Sequence, residues 1–352
     1  MWHDCAVKPI VTGVVLAAAA AVTFGVTTPI VAWAGSSVGP FTTAALLYAG
    51  AAAAALVLRV IKGRSDAPLR RGDWSRVVAV AVVGGAIAPT LLAWGLQRSG
   101  PTIGSLLLNL EAVFTVLLAR AFFHEPIGSR VAFAVLAMAA GGAALTVDAW
   151  QDASWGLLGI LAVAAATAAW ATDNTLTRPL AERDPLEVIV GKGSIGAVVT
   201  TIAAISVGEP WPAGWAIGVL LACGATGYGI SLRLYLVAQR RIGAGRTGSV
   251  FALAPFIGAA LAFALGDRVA GPWAIAAAGL FVVGVVAHVT ERHGHAHVHA
   301  PERHDHVHRH PDEHHAHDHE PPFVGEHAHP HAHDRLEHEH EHAPDLHHGH
   351  AH

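Results

Sequence analysis

Between Ile10 and Thr290 the chain passes through one predominantly apolar run after another. Each is about 20 residues long, enough for a helix to cross the hydrocarbon layer of a bilayer. Runs of this length recur too often for a soluble core, so the chain reads as an all-α integral membrane protein. Hydrophobic residues make up 53% of the 352 residues and charged residues 14%, and the mean hydropathy is +0.44 even though a very polar tail lowers it. Spans are expected near Ile10–Trp33, Gly39–Ile61, Arg76–Gln97, Thr102–Phe123, Ser129–Asp148, Ser154–Arg178, Pro185–Val207, Gly214–Ala238, Ala244–Gly266 and Gly271–Thr290. With no small-residue cleavage site after a short apolar core, the first span is read as a retained helix. The two cysteines, Cys5 and Cys223, supply no disulfide framework.

Loop charge sets the expected orientation. Arg59, Lys62, Arg64, Arg70, Arg71, Arg76, Arg120, Arg130, Arg178, Arg183, Arg240, Arg241 and Arg246 gather at one set of turns, against Arg98 and Arg268 at the other. Basic residues accumulate on the cytoplasmic side, so both termini are expected there, in a multi-pass protein of the cell membrane. Trp150, Trp155, Trp211, Trp215 and Trp273 fall at ends assigned to the opposite face, where amphipathic rings favour the headgroup layer.

The segment Ser105–Gly128 (SLLLNLEAVFTVLLARAFFHEPIG) returns imperfectly as Ser249–Gly271 (SVFALAPFIGAALAFALGDRVAG). The chain is therefore a duplication, with residues 1–150 as the first repeat (spans one to five), 151–290 as the second (spans six to ten) and 291–352 as a separate tail. Five spans per repeat force the second copy to enter from the opposite side, which yields inverted repeats and points to alternating access.

Spans four and nine resemble those of the drug/metabolite transporter superfamily, in particular its EamA branch of ten-helix carriers. The matching residues are Asn109-Leu110-Glu111-Ala112-Val113-Phe114-Thr115 running to His124-Glu125, and Arg246-Thr247-Gly248-Ser249 with Ala254-Pro255-Phe256-Ile257-Gly258 running to Gly266-Asp267. Ala169 to Arg178 and Gly191-Lys192-Gly193 are similar too, and the resemblance covers roughly Ile10 to Val289. It implies a secondary carrier for small organic solutes without fixing the substrate. The chain has His124-Glu125 and Gly266-Asp267 where Gly-Glu is common, and one residue fewer between Pro255 and Asp267 than between Ala112 and Glu125.

Depth singles out the chemistry, because an ionisable group in hydrocarbon is costly and faces a cavity or a partner. Glu111 sits about ten residues, or about 15 Å, from either end of span four. It suits proton coupling or pairing with a cationic substrate, and its alternative is a structural hydrogen bond to a neighbouring helix. Thr115 shares its helical face, while Asn109 lies about 200° around, on the face of Ser105. Asp173, Lys192 and Arg233 stand one to two turns inside the cytoplasmic ends of spans six, seven and eight, close enough to meet: either Asp173 and Lys192 form an interhelical ion pair while Arg233 reaches out to the headgroups, or the group binds substrate or gates. Asn174 and Trp170 are further candidates for the cavity wall. Pro29, Pro89 and Pro255 interrupt spans, and Gly224, Gly248 and Gly258 permit bends or close approach. Ala112 stands opposite Pro255 in the duplicate, which predicts a hinge in one repeat only.

From Glu291 onward the material changes. The tail holds 23 of the 26 histidines and carries about −9 with neutral His, leaving about +5 on the membrane part and −4 overall. With almost no apolar residues it is expected to be disordered and cytoplasmic. Its histidines alternate at His295, His297, His299; His304, His306, His308, His310; His327, His329, His331, His333; and His338, His340, His342. In an extended chain His-x-His lets two imidazoles approach one ion, and imidazole suits Zn, Ni, Co or Cu. The alternative is a polyampholyte that responds to pH near 6.5. Buffering ions fits this better than one ordered site.

Three functions remain open. The first is a carrier for a small organic solute, with a metal-binding tail serving a separate need. The second is a carrier linked to a transition metal (Ni, Co or Zn), whose tail captures or senses the ion. The third is a membrane-anchored metal store or sensor that no longer transports. The spans hold no His-rich or Asp-rich ligand set, which ranks the organic solute first. No hydrolase elbow, phosphate loop or zincin pattern appears, so no enzyme is expected. No cofactor is required and no nucleic-acid partner is expected. The bilayer, the solute and divalent metals are the expected partners, and association into a homodimer stays open.

Overall fold

The computed structural model describes the chain apart from residues 1–2, 63–66, 124–126, 152–155, 181–182, 268–270, 291–293, 300–301, 310–325, 334–335 and 342–352. His124, Glu125, Trp155, Arg268, His310 and His342 thus lie outside the described residues. Ten helical spans of membrane-crossing length follow one another: α1 Val11–Ser37, α2 Pro40–Ile61, α3 Arg71–Ser99, α4 Pro101–Phe122, α5 Ser129–Val147, α6 Gly156–Leu180, α7 Pro185–Val207, α8 Gly214–Gly243, α9 Arg246–Ala264 and α10 Pro272–Val289. A helix satisfies its backbone within its own segment, which lipid demands. These are the ten spans expected from the apolar runs. The main differences are the earlier start of α3 and the later end of α8. The Asp73 carboxylate accepts the Arg70 N–H at 2.9 Å and starts α3 in a polar stretch that hydropathy does not register.

Packing follows a two-fold rule. α1 lies along α8 and α6 along α3, while α2 faces α7, α4 faces α9 and α5 faces α10. Advancing each span by five places exchanges the first two pairs and returns the other three to themselves. Two five-span copies around an axis between them produce this pattern, and an odd span number inverts the second copy.

The interruptions obey the same rule. α3 widens to a π-helix at Val83–Ile87 and α8 does so at Gly224–Ile230. α4 breaks at Leu108 and Asn109, and α9 at Ala252 and Leu253. The hinge expected in one repeat only is therefore present in both. Pro255, in the first turn of the Ala254–Ala264 half-helix, accounts for the break in α9, where its missing N–H costs nothing. In α4 the chain tightens instead: Leu108 N donates to Ser105 O at 3.2 Å and Asn109 N to Leu106 O at 3.1 Å. The Asn109 amide adds a bond to the same Leu106 carbonyl at 2.9 Å, a side chain competing with the helix ladder.

Beyond α10 the described tail is extended. Strands β1 Gly294–His299 and β4 Leu336–Glu341 pair antiparallel, as do β2 Glu302–Arg309 and β3 Glu326–His333. The registers set His295 opposite His340 and His297 opposite His338, and His304, His306 and His308 opposite His331, His329 and His327. Two-stranded ladders are marginal in water, in keeping with a tail that builds no core of its own.

Carboxylates of the second repeat clamp α2 against α7 at both ends. Glu209, just past α7, accepts the N–H groups of Phe41 and Thr42 at 3.1 and 2.8 Å and the Thr42 hydroxyl at 2.6 Å, capping the start of α2. Glu187, in the first turn of α7, takes Arg59 from the far end of α2 at 2.5 Å and the Leu69 N–H at 2.7 Å. Asp267 similarly accepts the Thr102 N–H at 2.8 Å where α4 begins, and Arg183 meets Asp73 at 2.8 Å. Between the clamps α2 and α7 touch backbone to backbone: a Cβ on Gly193 would stand 2.9 Å from the Tyr48 carbonyl and 3.0 Å from the Ala52 methyl. Gly193→Val is therefore expected to cost about 1–3 kcal/mol. In detergent its thermal unfolding midpoint falls by a few degrees, while Gly218→Ala, which meets nothing within 4 Å, leaves the midpoint unchanged.

Candidate functional site

The break in α4 determines where Glu111 stands. The second half-helix, Leu110–Phe123, begins immediately before it, so its carboxylate lies in a first turn where the helix dipole favours negative charge, while the Glu111 and Ala112 N–H groups bond back to the Leu108 and Asn109 carbonyls at 3.1 and 3.3 Å. Asn174 on α6 donates to Glu111 Oε1 at 2.7 Å. One residue earlier Asp173 points toward α7, where the Lys192 ammonium binds its carboxylate, and both side chains are nearly buried. Consecutive residues of α6 thus reach α4 and α7, joining a charge from each side of the two-fold axis.

The π-segment of α3 completes the group. The widened turn gives the Ala88 N–H to Val83 and the next donor position is Pro89, which has no N–H, so the Gly84 carbonyl is left out of the ladder, and two side chains claim it: the Tyr48 hydroxyl from α2 and the Trp170 indole N–H from α6, the latter at 3.2 Å. Residue 84 must be glycine because the Asp173 carboxylate occupies the space of a Cβ. The Lys192 ammonium lies 5.9 Å from the Tyr48 ring centroid, so the ion pair and the ring form one assembly. Tyr228, on the matching π-segment of α8, packs against Tyr48 with ring centroids 5.7 Å apart.

Of the residues singled out from the sequence, Glu111, Asn174, Asp173, Lys192 and Trp170 converge here. Asp173 and Lys192 meet as an ion pair, and Arg233 stands outside that pair, as the ion-pair reading had it. Asn109 turns to its own backbone and is buried. Thr115, one turn beyond Glu111, is half-buried, and among the described residues its hydroxyl joins no hydrogen bond of the group. Sequence reasoning missed Tyr48, Tyr228 and the Gly84 carbonyl. One signal was available for the tyrosines: the chain has only three, all inside apolar spans.

No group of three or more His, Cys, Asp or Glu side chains able to hold a metal ion occurs among the described residues. The membrane site instead offers a carboxylate with a neutral partner, an ion pair and aromatic side chains beside it.

Comparison with known proteins agrees with this architecture. An uncharacterized transporter of Methanothermobacter thermautotrophicus is 29% identical over 213 residues, covering 57% of this chain and 60% of its own length. The match thus spans less than two thirds of that relative. A protein of known crystal structure superposes with a TM-score of 0.57 at 20% identity, over 78% of this chain and 94% of its own, a likeness of fold alone. The model of the EamA-like transporter family matches residues 11–147 and 157–290, the two halves that the span pairings exchange, and the chain belongs to that family of membrane transporters.

Proposed function

We propose that the chain is a secondary carrier that moves a small organic solute across the cytoplasmic membrane by alternating access, with Glu111 as the group that takes up and releases a proton. The observation that carries this reading is the hydrogen bond between Glu111 on α4 and Asn174 on α6, at the first turn of a helix broken in mid-membrane. Discontinuous helices at matching places in two inverted repeats are where carriers of this build hold substrate. An ionised carboxylate held from water is costly. It is stable when a proton or a cationic partner joins it, so loading and unloading it is a natural way to couple two movements. The clamps at opposite ends of α2 and α7 give each membrane face a contact to release in turn.

The arginine-rich turns support a cytoplasmic position for both termini. The tail is then a cytoplasmic metal buffer: alternating histidines set opposite one another across β2 and β3 place pairs of imidazole-bearing residues on one face of a ladder. Zn, Ni, Co and Cu suit such ligands. Because the tail and the membrane site share no residue, metal handling is separable from solute transport.

In proteoliposomes, Glu111→Gln is expected to abolish solute accumulation driven by a pH gradient; accumulation at the unmodified rate removes Glu111 from this role. A chain ending at Thr290 retains transport but loses nickel binding measured by calorimetry, and retained nickel binding overturns the tail assignment. Lys192→Met leaves Asp173 buried without its cation and is expected to lower stability by about 3–5 kcal/mol. The double variant Asp173→Asn with Lys192→Met recovers most of that loss in thermal unfolding.

A further inference from the structure

Ten alternating crossings put the turns after α2, α4, α6 and α8 on the face where α10 ends. Contacts within the bundle agree: the Arg130 guanidinium at the start of α5 donates to the Thr290 carbonyl at 2.9 Å, and Arg183 reaches Asp73 at 2.8 Å. Arg71, Arg76, Arg130, Arg241 and Arg246 are exposed there. The described carboxylates of the same face are engaged within the bundle. Asp73 is held by Arg183 and the Arg70 N–H, Asp184 by the Leu186 N–H at 2.8 Å, and Glu187 by Arg59 and the Leu69 N–H. The exposed surface at this end of the bundle is therefore positive.

The chain that leaves Thr290 places its charge unevenly. Residues 291–311 hold three acidic and three basic residues and are neutral, whereas residues 312–352 hold ten acidic residues and one arginine, −9 with neutral His. The negative charge of the tail thus lies wholly in its second part. Pairing of β1 with β4 also sorts acids from histidines, because alternate residues of a strand belong to opposite faces. Glu337, Glu339 and Glu341 share one face of that ladder, in register with Val298, Ala296 and Gly294. His338 and His340 share the other, in register with His297 and His295.

We propose that the arginine-rich face of the bundle is the docking surface of the chain's own acidic segment, residues 312–352, led by the acidic face of the β1 and β4 ladder, and that divalent metal on the histidines releases it. The covalent tie at Thr290 sets surface and segment at an effective concentration of about the millimolar range, so contacts that are individually weak suffice. Each divalent ion bound by neutral imidazoles adds two positive charges, and about five ions offset the nine negative ones. Those charges act across the ladder because its two faces lie within about 10 Å, the Debye length at about 0.1 M salt. The release rests on the metal-binding reading of the tail, and the docking does not.

The test uses the full chain in phosphatidylcholine nanodiscs, with Cys5→Ser and Cys223→Ala and with spin labels on Ser75→Cys, between Arg71 and Arg76, and on Leu336→Cys, where β4 begins. Pulsed dipolar spectroscopy is expected to show a short-distance population at low salt that vanishes at about 1 M, where the Debye length is about 3 Å. Replacing Glu337, Glu339 and Glu341 together by Gln lowers that population at least about threefold, and loading the histidines with zinc does the same. No short population at low salt, or one that ignores salt and the three substitutions, overturns the docking. Its loss when phosphatidylglycerol enters the discs at constant salt gives the arginines to lipid headgroups and overturns it too. A short population that survives zinc loading overturns the release while the buffer reading stands. A tail that binds no zinc in calorimetry removes the buffer reading and the release together and leaves the docking, tested by salt and substitution alone, in place.

Discussion

A helix interrupted inside a bilayer exposes backbone groups that no water can satisfy, and each must be answered by a side chain or the span will not hold its shape. In α3 the π-turn gives the Ala88 N–H to Val83 and Pro89 has none to offer, so the Gly84 carbonyl is left to Tyr48 and Trp170, which both donate to it. That one acceptor draws α2 and α6 onto α3 and fixes the rings. It also brings Asp173 against Gly84, within reach of Lys192 on α7. The site is therefore built around a backbone defect rather than added to a finished bundle.

The scaffold is two-fold but its chemistry is not. Both repeats break their fourth span and widen their third, so the bending points come in matched pairs. Only α4 follows its break with a carboxylate; α9 has Ala254 and Pro255 at the corresponding place. The clamping carboxylates Glu187 and Glu209 both come from the second repeat and act on the first. Duplication supplies equivalent backbones, and substitution then lodges charge on one of them.

Much of this was legible before any coordinates. Ten spans, the duplication and the depth of Glu111 follow from run length and spacing, and Asp173 with Lys192 could be paired because both stand at like depth in consecutive spans. The break in α4 was not legible, since no proline marks it and the Asn109 amide that loosens it could equally have faced another helix. The ring group was not legible either: Tyr48, Trp170 and Tyr228 lie far apart in the chain, and which faces meet depends on how each helix is rotated about its axis.

The sequence by itself determined the number and length of the spans, their inverted arrangement and the composition of the tail, because transfer into lipid depends on local apolarity alone. Tertiary structure decided which polar groups meet. Hydropathy has no angular term beyond the single helix, and contacts such as Glu111 with Asn174 or Glu209 with the start of α2 arise only when ten axes pack at fixed rotations.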